Sequence, residues 1–213
     1  MNWRDLKIVK ILNKSLGRWL RKKGKITEKT QAKELVLFAS GRGSKLMLDP
    51  EFKRMMKIDS VSQFEEGRIL NELVAAMLTL LNVYLRSKIP NLPGEKREFW
   101  RSVQEGLIPV YKDWLSEIGI EKKLIDTWEM LLQKRFDEYY DYERDSLEFL
   151  QQNPMQVGSS DQQEAYIPVM TISAYTMMYL RKGKRDESDR PIQSLIQRHL
   201  VDLQNELISK VGW

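Results

Sequence analysis

Apolar residues recur three and four positions apart through nearly the whole chain, and no segment alternates residue by residue in the manner of a half-buried strand. The pattern predicts an all-α fold, a multi-helix bundle of about seven helices with a long central helix and a basic amphipathic helix at its N-terminus. The N-terminal segment covers residues 4–23 and stops at Gly24. The next covers 29–39 and stops in a Gly41-Arg42-Gly43 turn, glycine being a frequent C-terminal stop. Asp49-Pro50 then opens a short helix ending near Ile58, with Asp as the cap and Pro at the first helical position.

Ser60 or Ser62 begins the expected central helix, with Glu65 three residues after Ser62 as a capping box, and the pattern continues to Ser87. Its apolar positions, from Ile69 and Leu73 through Met77 to Leu81 and Leu85, form a wide stripe. Residues 95–118 follow, with Pro109 placed to kink or split them. Residues 121–151 contain neither Gly nor Pro and predict a helix roughly 45 Å long. A loop at 156–160, a helix over 162–180 that Pro168 distorts, a charged loop at 181–190 and an amphipathic helix over 191–211 complete the reading.

Composition narrows the chemistry. A chain of 213 residues is long enough for a real core, and with only 11 Gly and 7 Pro it has few helix breakers. It has no cysteine, which excludes disulfides, thiolate zinc sites, iron–sulfur clusters and cysteine nucleophiles. The longest apolar run, 73–85, is interrupted by Thr79 and Asn82, falls short of the ~20 residues that span a bilayer and reads as a buried core helix. No unbroken hydrophobic region followed by a small-residue cleavage site stands near Met1, and a cytoplasmic location is the expectation.

The net charge of +5 is unevenly spread. Residues 1–57 carry 16 Lys and Arg against 5 Asp and Glu, and the remainder carries 19 against 25. The change of sign divides a basic helical N-terminal subdomain, 1–58, from an acidic helical bundle, 59–213, the two read as one continuous domain.

The N-terminal helix concentrates this charge. At 100° per residue, Ile8, Val9, Leu12, Leu16, Trp19 and Leu20 share one side, while Lys7, Lys10, Lys14, Arg18, Arg21 and Lys22 project from the other. Six cations without an interleaved acid repel one another and are stabilised by a polyanion beside them. Nucleic-acid phosphate is the first candidate partner, an anionic membrane surface the second and a protein partner the third. A solvated face balanced by the acidic remainder of the chain is the competing reading. Arg42 and Lys45, with Lys53, Arg54 and Lys57 beyond them, extend the patch if their helices pack beside the first. No zinc-finger, RNA-recognition or clear helix-turn-helix pattern accompanies the charge, so the contact expected is with phosphate and indifferent to sequence.

The enzymatic alternative rests on carboxylates. Asp137, Asp141 and Asp145 stand four apart, a spacing by which some helical enzymes hold magnesium for phosphate-ester or diphosphate chemistry, and Glu72 with Glu65 and Glu66 is the further source of ligands. Helical phase opposes it. With Trp128 as origin, Leu132, Phe136, Tyr139, Leu147 and Leu150 fall between ~20° and ~100°, whereas the three aspartates fall between ~180° and ~260°. They face away from the core stripe, with Lys134 and Arg144 placed to pair with Asp137 and Asp141. His199, the single histidine, lies on the apolar stripe of the last helix and reads as a core-edge residue. Gly41-Arg42-Gly43-Ser44-Lys45 lacks the spacer and preceding strand of a phosphate loop and reads as a basic turn. Tyr140 and Tyr142 lie off the main stripe and are placed to reach a second packing neighbour or a partner surface. No cofactor and no catalytic residue is assigned; a helical scaffold that binds only protein is the third reading.

Overall fold

The computed structural model describes residues 26–152, 160–184, 186 and 189–211. Eight α-helices are present among them and no strand: α1 (Glu28–Leu48), α2 (Pro50–Met56), α3 (Gln63–Lys88), α4 (Gly94–Glu105), α5 (Leu107–Glu117), α6 (Lys122–Gln152), α7 (Ser160–Leu180) and α8 (Asp189–Val211). Short 3₁₀ turns at Ile58–Ser60 and Ile89–Asn91 flank α3. The protein is an all-α multi-helix bundle.

The centre is α3, which packs against α1, α4, α6, α7 and α8. Encirclement explains why its apolar positions are a wide band rather than a narrow stripe: Leu73, Ala76, Met77, Leu78 and Leu81 are all fully enclosed although they point in different directions around the helix axis. By length and composition the segment Gln63–Asn91 is apolar enough to cross a bilayer, more so than its sequence run suggests, but 83% of its most apolar window is buried inside the protein by its neighbours, as expected of a buried core helix. One hydrophobic cluster runs from Ala32 in α1 to Leu207 in α8.

The helix ends follow local chemistry. Thr27 caps α1 by accepting from the Thr30 backbone N–H at 3.2 Å, while Thr30 Oγ1 accepts from the Thr27 N–H at 2.8 Å. Asp49 Oδ1 accepts from the backbone N–H of Glu51 and Phe52 at 2.8 and 3.0 Å, and Pro50 takes the first position of α2. Ser62 caps α3 through the Glu65 N–H at 3.3 Å. The second half of the expected box is absent, because the Glu65 carboxylate turns to Arg68 and Lys182.

Two further expectations are corrected. The Gly41-Arg42-Gly43 segment is not a turn: α1 continues through it to Leu48. Gly43 is buried against α3, where an added Cβ would meet Val74 Cγ2 at 2.9 Å and its Cα at 3.1 Å, so the missing side chain permits close helix packing instead of ending the helix. The predicted helix 95–118 is split, but at Gly106 rather than at Pro109. Pro109 lies in the first turn of α5, where its missing N–H costs nothing, and its ring disfavours helix at the carbonyl four residues earlier, Glu105, where α4 ends.

Candidate functional site

The six cations Lys7, Lys10, Lys14, Arg18, Arg21 and Lys22 lie outside the described residues. The remaining two candidates, Arg42 and Lys45, sit in the last two turns of α1, and the structure separates them. Arg42 is largely covered: its guanidinium pairs with Glu206, approaches Asp202 Oδ2 at 3.6 Å and lies 5.8 Å from the centre of the Phe38 ring. Both carboxylates belong to α8, so Arg42 fastens α1 to α8. Lys45, three residues on, is exposed and forms no ion pair among the described residues.

The corner after Lys45 carries further charge. Phe52 and Met56 bury the inner face of α2, which leaves Arg54 exposed on its outer face and Lys57 exposed at its end. Lys53 is half-buried between them. Lys57 has a left-handed backbone, φ 53° and ψ 40°, and its N–H closes the helix on the carbonyls of Lys53 and Arg54. Arg54 and Lys57 also form no ion pair among the described residues.

The carboxylates of the enzymatic alternative are dispersed. Asp137, Asp141 and Asp145 are exposed on the outer face of α6, as helical phase predicts. Arg144 approaches Asp141 Oδ1 at 3.3 Å and Asp145 Oδ1 at 3.5 Å, and Asp137 accepts from Gln133 at 3.3 Å. Lys134 does not pair with Asp137 as expected but with Glu138, at 3.5 Å, four residues along its own helix. Glu72 is buried elsewhere, and the Glu65 carboxyl is held down to about 2 chiefly by its hydrogen bond to Arg68, with Lys182 adding to the effect against a smaller opposing cost of burial. Among the described residues no three Asp, Glu or His side chains are grouped to hold a metal ion.

Sequence reasoning missed a buried polar centre where α3, α6 and α7 meet. Arg135 donates to both oxygens of Glu72, Nε to Oε2 at 3.0 Å and Nη2 to Oε1 at 2.8 Å. Its Nη1 donates to Glu138 Oε2 at 2.7 Å, and the Tyr179 hydroxyl donates to the same oxygen at 2.8 Å. The guanidinium stacks 3.3 Å from the centre of the Tyr179 ring. Burial opposes the Arg135 charge, but Glu72 and Glu138 outweigh it and raise its pKa; burial and then the bond to Glu138 raise that of Tyr179. Tyr139 donates to or accepts from Thr176 at 2.9 Å and meets Tyr175 and Tyr179 edge-on, while Tyr142 stacks flat on Tyr175 with ring centres 3.6 Å apart. Tyr142 thus finds the second packing neighbour, and Tyr140 lies under Arg86 at 3.5 Å. This network is fully engaged in holding helices together. One signal for it was legible: Arg135 falls at ~340° on the scale that puts the core stripe of α6 at ~20° to ~100°, so a charge sits beside the buried face.

His199 is buried in α8 beside Arg42, with Nδ1 lacking a hydrogen-bond partner, and burial lowers its pKa. A shallow groove between α5 and α6 is lined by Ile108, the exposed Met130, Asp137 and Asp141. Comparison with protein-family models, with curated proteins and with solved structures gives no match to the chain.

Proposed function

We propose that this chain is a non-enzymatic, cytoplasmic helical protein that binds a polyanion, with nucleic acid as the partner, through the basic face of its N-terminal segment. The observation that carries the reading is the uneven charge of the sequence: 16 cations against 5 acids in residues 1–57, six of the cations falling between 7 and 22 at spacings that share one face of a helix. A polyanion relieves the mutual repulsion of such a face and releases its own counterions on binding, so phosphate contact supplies affinity without reading bases. Lys45 fits the same reading because it is exposed and has no carboxylate partner among the described residues, whereas Arg42 supports it less, its charge being taken up by Asp202 and Glu206.

The test compares the intact chain with one lacking residues 1–23 on immobilised heparin, on mixed-sequence DNA and on vesicles. Binding to DNA that weakens with salt and disappears with the deletion supports the reading. DNA binding that survives the deletion overturns it. Flotation with anionic but not neutral vesicles, in the absence of DNA binding, replaces nucleic acid by a membrane surface.

A further inference from the structure

We infer that the corner between α1 and α2 is a second phosphate-contacting site, formed by Lys45, Arg54 and Lys57, that engages the same nucleic acid as the N-terminal segment; the inference rests on the polyanion reading above. Three properties of the corner lead to it. First, its cations are exposed and form no ion pair among the described residues, while Arg42, one turn back, is consumed by α8. Second, none of the acids in the corner pairs with these cations among the described residues: Asp49 Oδ1 is turned to the Glu51 and Phe52 N–H groups, and Glu51 and Asp59 are exposed without an ion pair. Third, the backbone of the corner is anchored in the core. Leu46, Met47, Phe52 and Met56 are buried beneath it, so the backbone that carries the cations is already placed and only their side chains are ordered when phosphate arrives.

The dimensions fit a run of phosphates. The seven residues of α2 span roughly 10 Å, and Lys45 lies one turn before its cap, so the three charges occupy one compact corner. Arg54 supplies a fork that takes two phosphate oxygens, and the two lysines supply point charges on long stems, a set that binds backbone without reading bases. The corner is at the far end of α1 from Ile26, a separation of roughly 30 Å along 21 residues, so substitutions here leave the entry of the N-terminal segment untouched.

The test measures affinity of the full-length chain for a mixed-sequence duplex of about 25 base pairs across a salt series, each phosphate contact contributing ~0.9 to the slope of log K against log salt. The variant Lys45→Gln/Arg54→Gln/Lys57→Gln is expected to lower that slope by about 2 to 3, and Arg54→Gln or Lys57→Gln alone by about 1 each. The exposed pair Lys122→Gln/Lys123→Gln on α6 is expected to leave it unchanged. A full slope in the corner variants, with wild-type binding intact, overturns the second site and leaves the polyanion reading standing. Absence of wild-type binding overturns both. Loss of vesicle flotation without loss of DNA binding in the corner variants overturns the nucleic-acid assignment of the corner. If the triple variant unfolds, the two single variants decide by the same slopes.

Discussion

Gly43 of α1 lies so close to Val74 of α3 that a Cβ on the glycine would stand 3.1 Å from both the backbone N and Cα of Val74. A side-chain tip can rotate away; a backbone in the central helix cannot. The substitution Gly43→Ala is therefore expected to lose about 1–2 kcal/mol, overpacking outweighing the ~1 kcal/mol of helix propensity that alanine brings. Gly67, inside α3 with nothing within 4 Å of an added Cβ, is the control. Gly67→Ala is expected to gain ~0.5–1 kcal/mol. Denaturant unfolding of the two variants checks both signs; equal gains would contradict the close-packing account.

The misreading of this segment has a physical cause. A glycine that stops a helix and one that admits a neighbour look alike in isolation, and the distinction lies in the spacing Ala32, Val36, Ala39 and Gly43, a row of small and medium residues on the buried face of α1. By contrast, α6 was legible almost to its ends, since no Gly or Pro interrupts it and its phase places Asp137, Asp141 and Asp145 outward, where they stand. Arg42 was read as part of a cationic surface because its partners Asp202 and Glu206 lie far along the chain, and helix pairing is not written in local periodicity. Lys45, three residues on and a neighbour of Arg42 on the same side of α1, has the same local pattern, and only the packing of α8 separates the exposed lysine from the covered arginine.

Arg135 and Glu72 are both more than nine-tenths buried, so removing Glu72 leaves Glu138 and the Tyr179 ring alone to balance the buried guanidinium. Glu72→Ala is expected to cost about 3 kcal/mol, the lower end for a broken buried pair because Glu138 still faces Arg135, whereas the paired change Arg135→Met/Glu72→Leu is expected to cost less, because the two buried charges leave together and the half-buried Glu138 keeps Tyr179 and Lys134. Thermal or denaturant unfolding of the three proteins gives the comparison. A double variant as unstable as Glu72→Ala would mean that the bonds to Glu138 and Tyr179, not the buried pair, dominate the centre.

Acid is expected to weaken the fold in two steps. His199 is buried and neutral with its pKa lowered, so the unfolded chain takes up its proton first as pH falls below 6.5, and stability declines from there until the folded histidine is itself protonated. Burial sets this step, and the surrounding charges modify it in opposing directions, Asp202 and Asp49 favouring the protonated histidine and Arg42 and Lys45 opposing it. Glu65, held at about 2 against an ordinary 4.5, contributes stability above that ordinary value which is lost as pH falls from about 4.5 to about 2. His199→Gln is expected to flatten the upper step alone and Glu65→Gln the lower one alone. Unfolding midpoints followed from pH 7.5 downward measure both, and an upper step that persists in His199→Gln would assign it to another group.

The central claim, that the basic face of residues 7–22 binds nucleic-acid phosphate, is tested most directly by fluorescence anisotropy of the full-length chain on mixed-sequence DNA over a range of salt. Engagement of the six N-terminal cations predicts a log–log slope of about −5 or steeper, and Lys10→Glu/Lys14→Glu/Arg18→Glu is expected to abolish binding at every salt concentration. An affinity that is indifferent to salt, or that survives the charge reversal, would contradict the account.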